Sequence, residues 1–138
     1  MYYLTIKKDD LDVAARTCAG EARGEKERID AMKAVAHVIF NRAKRGGWWG
    51  DTVSEVCHKA QQFSCWNEND PNHKVISELS VSDSIYTEAV TAVALAYVDD
   101  EDPTNGATHY YATFIKEPWW AKNMEEVAEF GGHKFFKS

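Results

Sequence analysis

Apolar residues recur at helical spacing along most of the chain, with polar residues between them. The spacing predicts a first helix from about Lys8 to Gly20 and a second, longer helix that stops at Gly46-Gly47. The apolar faces of these two helices are formed by Leu11, Ala14, Ala15, Cys18, Ile29, Met32, Ala36, Ile39, Phe40 and Ala43.

Two further helices are predicted downstream. Thr52 opens a T-x-x-E capping box, which marks the start of the third helix. Ser82 is the predicted cap of the fourth, and "DDEDP" ends it because Pro103 disfavours helical geometry at the preceding residue. The predicted apolar faces are Val53, Val56, Cys57 and Ala60 in the third helix, and Ile85, Ala89, Ala92, Val93 and Ala96 in the fourth.

The pattern changes near the C-terminus. "PTNGA" is typical of a turn, and the β-branched and aromatic residues of "THYYATF" predict a short, irregular extended segment. "NMEEVAEF" is predicted as a brief helix, and "GGHKFF" as a loop that carries His133. The predicted fold class is mainly α (α+β), as a single domain spanning residues 1–138.

Charge and hydropathy narrow the possible partners. The formal charge of −6 argues against nucleic acid, whose phosphates require an excess of Lys and Arg. The longest apolar run, "AVTAVALAYV", is shorter than the ~20 residues that a membrane span needs. The N-terminus lacks the features of a secretory signal, so we expect synthesis in the cytoplasm. We separately expect the protein to be a monomer.

No metal or cofactor site is predicted. Cys18 lies on an apolar helical face and is expected to be a buried hydrophobic residue. Cys57-His58 with Cys65 lacks a CxxC pair and a second histidine at ligand spacing. "DPTNGA" does not fit a calcium loop, and no glycine-rich phosphate loop or G-x-S-x-G motif occurs.

The stretch "CAGEARGEKE" contains the main candidate for acid chemistry. Glu21 stands at the predicted C-terminal end of the first helix. Both the partial negative charge of a helix C-terminus and burial would raise the pKa of a carboxyl there. A raised pKa suits a general acid, although Arg23 would oppose it if it pointed back at Glu21. The alternative is an ordinary solvated glutamate, which describes Glu25 and Glu27 better because they precede the second helix.

Aromatic and amide side chains offer candidate sugar contacts. "QQFSCW" follows the third helix, and its Phe63 and Trp66 either face a groove or fill the core. Tyr110 and Tyr111 are adjacent in an extended segment, so at most one of them faces a given groove. His37 is expected to be a packed or half-exposed helix residue, and His133 is a weaker candidate for the groove.

Five motifs together resemble one family. "ARTCAGEARGE", "AMKAVAHVIFNR", "TVSEVCHKAQQFSCW", "DPTNGATHYY" and "GGHKFF" come in the order seen in the cell wall hydrolases related to the spore-cortex-lytic enzymes SleB and CwlJ. The resemblance implies a lysozyme-like fold that cleaves the glycan strands of peptidoglycan. It also implies that Glu21 is catalytic and that Gln62, Phe63 and Ser64, with Tyr110 and Tyr111 nearby, line the groove. Asp30 and "NENDPNHKVISEL" depart from the family pattern.

Only one carboxylate has a persuasive position, which favours a lytic transglycosylase over a hydrolytic muramidase. In the first case the substrate's own hydroxyl attacks and leaves a 1,6-anhydro end, whereas hydrolysis would make Glu25 the first candidate for a second carboxylate. A non-catalytic glycan-binding module and a structural phage component are competing hypotheses of different classes. The signal-less sequence resembles a phage or prophage endolysin that acts on the cell wall after release through a pore-forming partner.

Overall fold

The computed structural model describes residues 2–59 and 62–138. Within these ranges the chain forms five α-helices followed by a three-stranded antiparallel sheet, joined in part by short 3-10 turns. The helices are α1 (Lys8–Ala22), α2 (Arg28–Arg45), α3 (Val53–His58), α4 (Pro71–Glu78) and α5 (Ser84–Val98). The strands are β1 (His109–Ala112), β2 (Glu125–Phe130) and β3 (His133–Lys137), and the 3-10 turns are Gly47–Trp49, Ser64–Trp66 and Trp119–Asn123.

Helix α1 is the centre of the fold, since it contacts each of the other four α-helices. Its buried face carries mostly small side chains, which allow neighbouring helices to approach closely. Gly20 shows this best, because a Cβ atom there would lie 2.7 Å from Cβ of Cys65. The buried residues of α1 are Asp10, Ala14, Ala15, Thr17, Cys18, Ala19 and Ala22.

The predicted helix α2 is confirmed, except for one position of its apolar face. Met32, Ala36 and Phe40 are buried, whereas Ile29 is on the surface in the first turn. His37 is fully buried, and its two ring nitrogens lie 2.9 Å from the hydroxyl of Tyr2 and 2.8 Å from a carboxylate oxygen of Asp99.

The predicted capping box is confirmed. Thr52 accepts a hydrogen bond from the Glu55 backbone N–H, and the Glu55 carboxylate accepts one from Thr52. Ala60, predicted on the same helix, lies outside the described residues. The predicted cap of the next long helix is wrong by one residue, because Asp83 and not Ser82 precedes α5.

Helix α4 lies in a segment for which no element is predicted from periodicity. Its start has a local signal, because Asp70 accepts a hydrogen bond from the backbone N–H of Asn72 and Pro71 follows at the first helical position. Ile76 is its buried residue, and it packs close to Gly20.

The brief helix predicted at "NMEEVAEF" is wrong, because this segment is strand β2. Gly131 and Gly132 both have positive φ, so they form a tight turn that folds β3 back along β2. Pairing with β3 overrides the helical propensity of Met and Glu. His133 is therefore the first residue of a strand, with a buried side chain, and not a loop residue.

All three cysteines are free and buried, as expected for Cys18. Among the residues that the structure describes, no group of three His, Cys, Asp or Glu side chains is arranged to hold a metal ion. None of the described helices has the length and apolar character needed to cross a membrane.

We predict that Gly20→Ala destabilises the protein. Alanine normally stabilises a helix relative to glycine, but the new methyl group would lie within 2.9 Å of both Cβ and Sγ of Cys65. Overpacking of this kind costs about 1–3 kcal/mol in the free energy of unfolding. Gly24→Ala is the matched control, because a Cβ there meets nothing within 4 Å. Equal stability of the two variants in urea unfolding would contradict the predicted close approach.

Candidate active site

Two side chains from other parts of the chain act on the Glu21 carboxyl at the end of α1. The hydroxyl of Tyr110 on β1 donates a 2.5 Å hydrogen bond to Oε1 of Glu21. The thiol of Cys65, which follows α3 in the chain, also favours the ionised form of the Glu21 carboxyl. The surroundings of this carboxyl therefore form only when helix α1, the segment that follows α3 and strand β1 pack together.

Arg23 does not point back at Glu21. Its guanidinium donates to the carbonyl oxygens of Ala19 and Gly20, and to Oδ1 of Asn72 at 2.6 Å. A cation at this position offsets the partial negative charge of the helix C-terminus. Arg23 thus stabilises the end of α1 and joins it to α4.

The pKa of the Glu21 carboxyl is raised above its ordinary value because burial penalises the ionised form. The hydroxyl of Tyr110 and the thiol of Cys65, followed by the charges of Arg42 and His133, act in the opposite direction but do not overcome burial. The direction agrees with the expectation from the sequence. Such a carboxyl retains its proton at a higher pH than a solvated glutamate, as a general acid must.

Tyr110 and Tyr111 point to opposite faces of the sheet, as adjacent strand residues should. Tyr110 faces Glu21 and packs edge-on against His133, with ring centroids 5.5 Å apart. Tyr111 stacks on Phe136 and meets Trp120. Of the two tyrosines, only Tyr110 is brought to the candidate acid.

A cavity of about 500 Å³ opens beside Tyr110. We call it the tryptophan cavity, because most of its wall is aromatic. Indole rings can cover the C–H faces of a sugar, while the polar lining groups can bind its hydroxyls and carbonyls. Its lining residues are Arg42, Trp48, Trp49, Gln62, His109, Tyr110, Trp119 and Trp120.

The predicted groove residues of "QQFSCW" occupy different environments. Gln62 lines the tryptophan cavity. Phe63 is 2% exposed and belongs to the core, where its ring lies 4.9 Å from the Arg42 guanidinium. Ser64 is exposed. Trp66 packs against the core and donates a hydrogen bond from Nε1 to the hydroxyl of Thr17. Gln61 lies outside the described residues.

Glu25 and His133 form a second polar pair close by. Nε2 of His133 lies 3.9 Å from Oε1 of Glu25, whose side chain is 30% exposed. His133 is buried against Tyr110 and is not among the lining residues of the tryptophan cavity. The Glu25 side chain is therefore more exposed to solvent than that of a buried acid.

A larger cavity, of about 640 Å³, shares no residue with the tryptophan cavity. Its most engaged carboxylate is Asp102, which accepts hydrogen bonds from the Asn41 side chain and from the backbone of Thr104 and Gly106. Those hydrogen bonds lower the pKa of Asp102 despite its burial. Asp102 thus secures the turn before β1, and its lowered pKa is the opposite of the raised pKa of Glu21.

Several residues beside Glu21 are not predicted from the sequence. The sequence suggests Cys65 only as a possible metal ligand and Arg42 only as a helix residue, although both lie near Glu21 or the tryptophan cavity in the structure. The paired tryptophans of "GGWWG" and "EPWW" carry a usable signal, because bulky aromatics next to glycine or proline are often exposed in loops. Trp48 and Trp119 are indeed 62% and 83% exposed.

We predict that Tyr110→Phe raises the pKa of Glu21 further. The lost hydrogen bond favours the ionised carboxylate, so its removal favours the protonated form. A carboxyl-carbon NMR titration would measure the shift. Tyr111→Phe is the matched control, since Tyr111 lies on the other face of the sheet, and it should leave the titration unchanged. A lower pKa in Tyr110→Phe would contradict the assigned contact.

Glu21→Gln should change the pH dependence of stability. Because the folded-state pKa of Glu21 is raised, its contribution to stability is complete below the unfolded value of 4.5 and is lost as pH rises through the folded value. The variant does not titrate, so its free energy of unfolding should increase relative to the wild type as the pH rises above 4.5. Glu27→Gln, at an exposed position, should show no comparable increase. Parallel curves for both variants would mean that Glu21 is an ordinary solvated carboxyl.

Two solved structures have the same fold. The catalytic domain of the SleB protein of Bacillus cereus aligns with a TM-score of 0.77 and 25% identity, covering 99% of this chain and 95% of that one. The catalytic domain of the germination-specific lytic transglycosylase SleB of Bacillus anthracis aligns with a TM-score of 0.72 and 25% identity, covering 95% and 96%. The similarity confirms the expected fold class, mainly α (α+β).

Sequence comparison points to the same relatives. No protein of curated function matches the chain significantly. The sequence model of the family described as Cell Wall Hydrolase matches residues 26–136, a range that covers most of the chain and begins just after Glu21. The expected resemblance is thereby confirmed, and the chain belongs to the cell wall hydrolase family.

Proposed function

We propose that this protein cleaves the glycan strands of peptidoglycan between N-acetylmuramic acid and N-acetylglucosamine, by lytic transglycosylation with Glu21 as the single acid and base. The observation that carries the proposal is the Glu21 carboxyl itself, which has a raised pKa and is bonded to a tyrosine lining the tryptophan cavity. Membership of the cell wall hydrolase family supports the substrate class. Similarity to a lytic transglycosylase supports the reaction type.

The first half of the reaction needs a protonated acid. Because Tyr110 donates to Oε1 of Glu21, the Glu21 proton belongs on Oε2. Oε2 gives this proton to the glycosidic oxygen as the bond from C1 of muramic acid breaks, and N-acetylglucosamine leaves with a free O4 hydroxyl. The acetamido carbonyl of the muramic acid can stabilise the positive charge that develops at C1.

The second half needs a base, and the same carboxylate supplies it. Glu21, now ionised and accepting a hydrogen bond from Tyr110, takes the proton of the C6 hydroxyl as that oxygen bonds to C1. The product is a 1,6-anhydro sugar, and Glu21 is again protonated. The substrate therefore provides the nucleophile that glycosidases usually take from a second carboxylate or from water.

A hydrolytic muramidase is the close alternative, with Glu25 as the second carboxylate. The observation that favours this mechanism is the position of Glu25, whose Oε1 lies 3.9 Å from Nε2 of His133, the ring that packs against Tyr110. A non-catalytic glycan-binding module would use the same tryptophans without proton transfer, and a structural phage component would use neither. Phage origin and delivery to the wall through a pore-forming partner stay predictions, as does the monomeric state.

We predict that Glu21→Gln abolishes most clearing of purified peptidoglycan in a zymogram while retaining the fold. A positioned acid and base contributes on the order of 10²–10⁴-fold, so the loss should be at least of that order. Glu25→Gln is the matched control and should remain active if one carboxyl is sufficient. Wild-type clearing by Glu21→Gln would exclude Glu21 as the catalytic acid.

Mass spectrometry of the digested glycan separates the two reactions. Anhydro ends would support transglycosylation, whereas reducing muramic acid ends together with an inactive Glu25→Gln would favour hydrolysis. Glycan affinity without turnover in either the wild type or Glu21→Gln would favour a binding module. Neither affinity nor clearing would favour a structural component.

A further inference from the structure

Two pairs of tryptophans from distant parts of the chain form the walls of the tryptophan cavity. Trp48 and Trp49 belong to the 3-10 turn that follows α2, and Trp119 and Trp120 begin the 3-10 turn before β2. His109 lies between them, with its ring centroid 5.3 Å from that of Trp49 and 5.1 Å from that of Trp120. The aromatic wall is thus continuous across the cavity.

Arg42 lines the same cavity and is itself 5% exposed. Its guanidinium carbon lies 4.4 Å from the centroid of Trp49 and 4.9 Å from that of Phe63, so the group contacts two aromatic rings. Nε donates a 2.8 Å hydrogen bond to the carbonyl oxygen of Thr108. These contacts fix the plane of the guanidinium.

The guanidinium is incompletely satisfied by the protein. Nη1 of Arg42 is buried and has no hydrogen-bond partner among the described residues. None of the ion pairs in residues 2–59 and 62–138 involves Arg42. A buried cation without a counter-ion is costly, and burial lowers the pKa of Arg42 to about 10. A packing role explains the ring contacts and the Thr108 bond, but it leaves both the charge and Nη1 unexplained.

The groups around Arg42 do not cancel its charge. Glu21 has a raised pKa and holds a proton when it acts as an acid, and the hydroxyl of Tyr110 has a pKa well above its ordinary value. Burial and the charges of Arg42 and Arg45 lower the pKa of His109 to about 4, so this ring is neutral at neutral pH. The tryptophan cavity therefore presents one positive charge within a mostly aromatic wall.

We propose that Arg42 binds a carboxylate carried by the muramoyl residue of the glycan, while the surrounding indoles cover the sugar. This inference rests on the proposed function and makes its substrate more specific. Guanidinium groups bind carboxylates with directional, charge-assisted hydrogen bonds, and a fixed guanidinium plane adds selectivity. The carboxylate has two sources, the lactyl group of a muramic acid that has lost its peptide and the acidic groups of an attached stem peptide.

Binding of defined oligosaccharides to Glu21→Gln tests the proposal without turnover. Four probes of equal sugar length are needed: a peptide-free muramic acid oligomer, the same oligomer with its lactyl groups converted to methyl amides, the stem-peptide form, and a chitooligosaccharide. Quenching of the fluorescence of the cavity tryptophans gives the affinity. We expect carboxylate-bearing probes to bind about 10- to 100-fold more tightly than the methyl amide and chitin probes. Preference for the peptide-free or the stem-peptide form identifies the source of the carboxylate.

Variants at Arg42 then locate the preference. Arg42→Gln in the same background should remove the difference between carboxylate and amide probes, and Arg42→Lys should keep part of it. Arg28→Gln removes the same charge outside the tryptophan cavity, where Arg28 pairs with Glu88, and should leave the preference intact. A general loss of packing would weaken all four probes equally and would not remove a preference.

The outcomes separate this inference from the proposed function. Equal affinity for carboxylate and amide probes in Glu21→Gln, with cleavage of peptidoglycan by the wild type, overturns the role of Arg42 and leaves the glycosidase intact. The probe comparison requires no change at Arg42, so it decides the question even if Arg42→Gln does not fold. Neither probe binding nor wall clearing would overturn the proposed function and this inference together.

Discussion

The hydrogen bond from Tyr110 to Glu21 is the contact on which the candidate site depends. It joins the end of the central helix to the first strand of the sheet, in a place where Glu21 is half-buried. Burial disfavours the charged carboxylate, whereas the hydroxyl of Tyr110 and the thiol of Cys65 favour it. The balance leaves an acid that keeps its proton readily and whose conjugate base still has donors to stabilise it.

This balance requires α1 to be surrounded closely by its neighbours. The small residues on its buried face let other segments approach, and Gly20 admits Cys65 directly beside Glu21. A larger residue at position 20 would separate the thiol from the carboxyl. Helix packing and acid chemistry therefore depend on the same few atoms, and the absence of a side chain at Gly20 contributes to the site as much as the charged groups do.

The tryptophan cavity complements a lone acid. In the proposed reaction, an aromatic wall would shield the bound sugar from water, which would favour attack by the substrate's own hydroxyl over attack by solvent. The proposed role of Arg42 adds one directional charge to this wall, which would orient the substrate without a second carboxylate. The arrangement suits a reaction in which the substrate supplies its own nucleophile.

The comparisons with known proteins support the fold and the family of this chain more directly than they support the role of Glu21. The chain shares its fold with the SleB catalytic domains over nearly its whole length, at 25% identity. The family match begins at residue 26, so it includes Arg42 and Tyr110 but not Glu21. The role of Glu21 consequently depends on its motif and its surroundings, and not on the extent of the family match.

The sequence by itself determined the local structure that depends on neighbouring residues. Periodicity predicted α1, α2, α3 and α5, and it placed Glu21 at a helix end, because side chains three and four apart share a face. The prediction that Tyr110 and Tyr111 point to opposite faces was also a local one, because adjacent strand residues alternate between the faces of a sheet. Strand β2 was mistaken for a helix because its pairing with β3 is set by the turn at Gly131-Gly132 and by hydrogen bonds to another segment.

Only the tertiary structure decided which side chains meet. Cys65 and Tyr110 reach Glu21 from positions far along the chain, and Arg42 is enclosed by rings from two separate segments. No periodicity encodes such contacts, because they depend on how helices and sheet pack in three dimensions. Burial is the physical quantity that the sequence could not supply, and burial is what raises the pKa of Glu21 and leaves the charge of Arg42 without a counter-ion among the described residues.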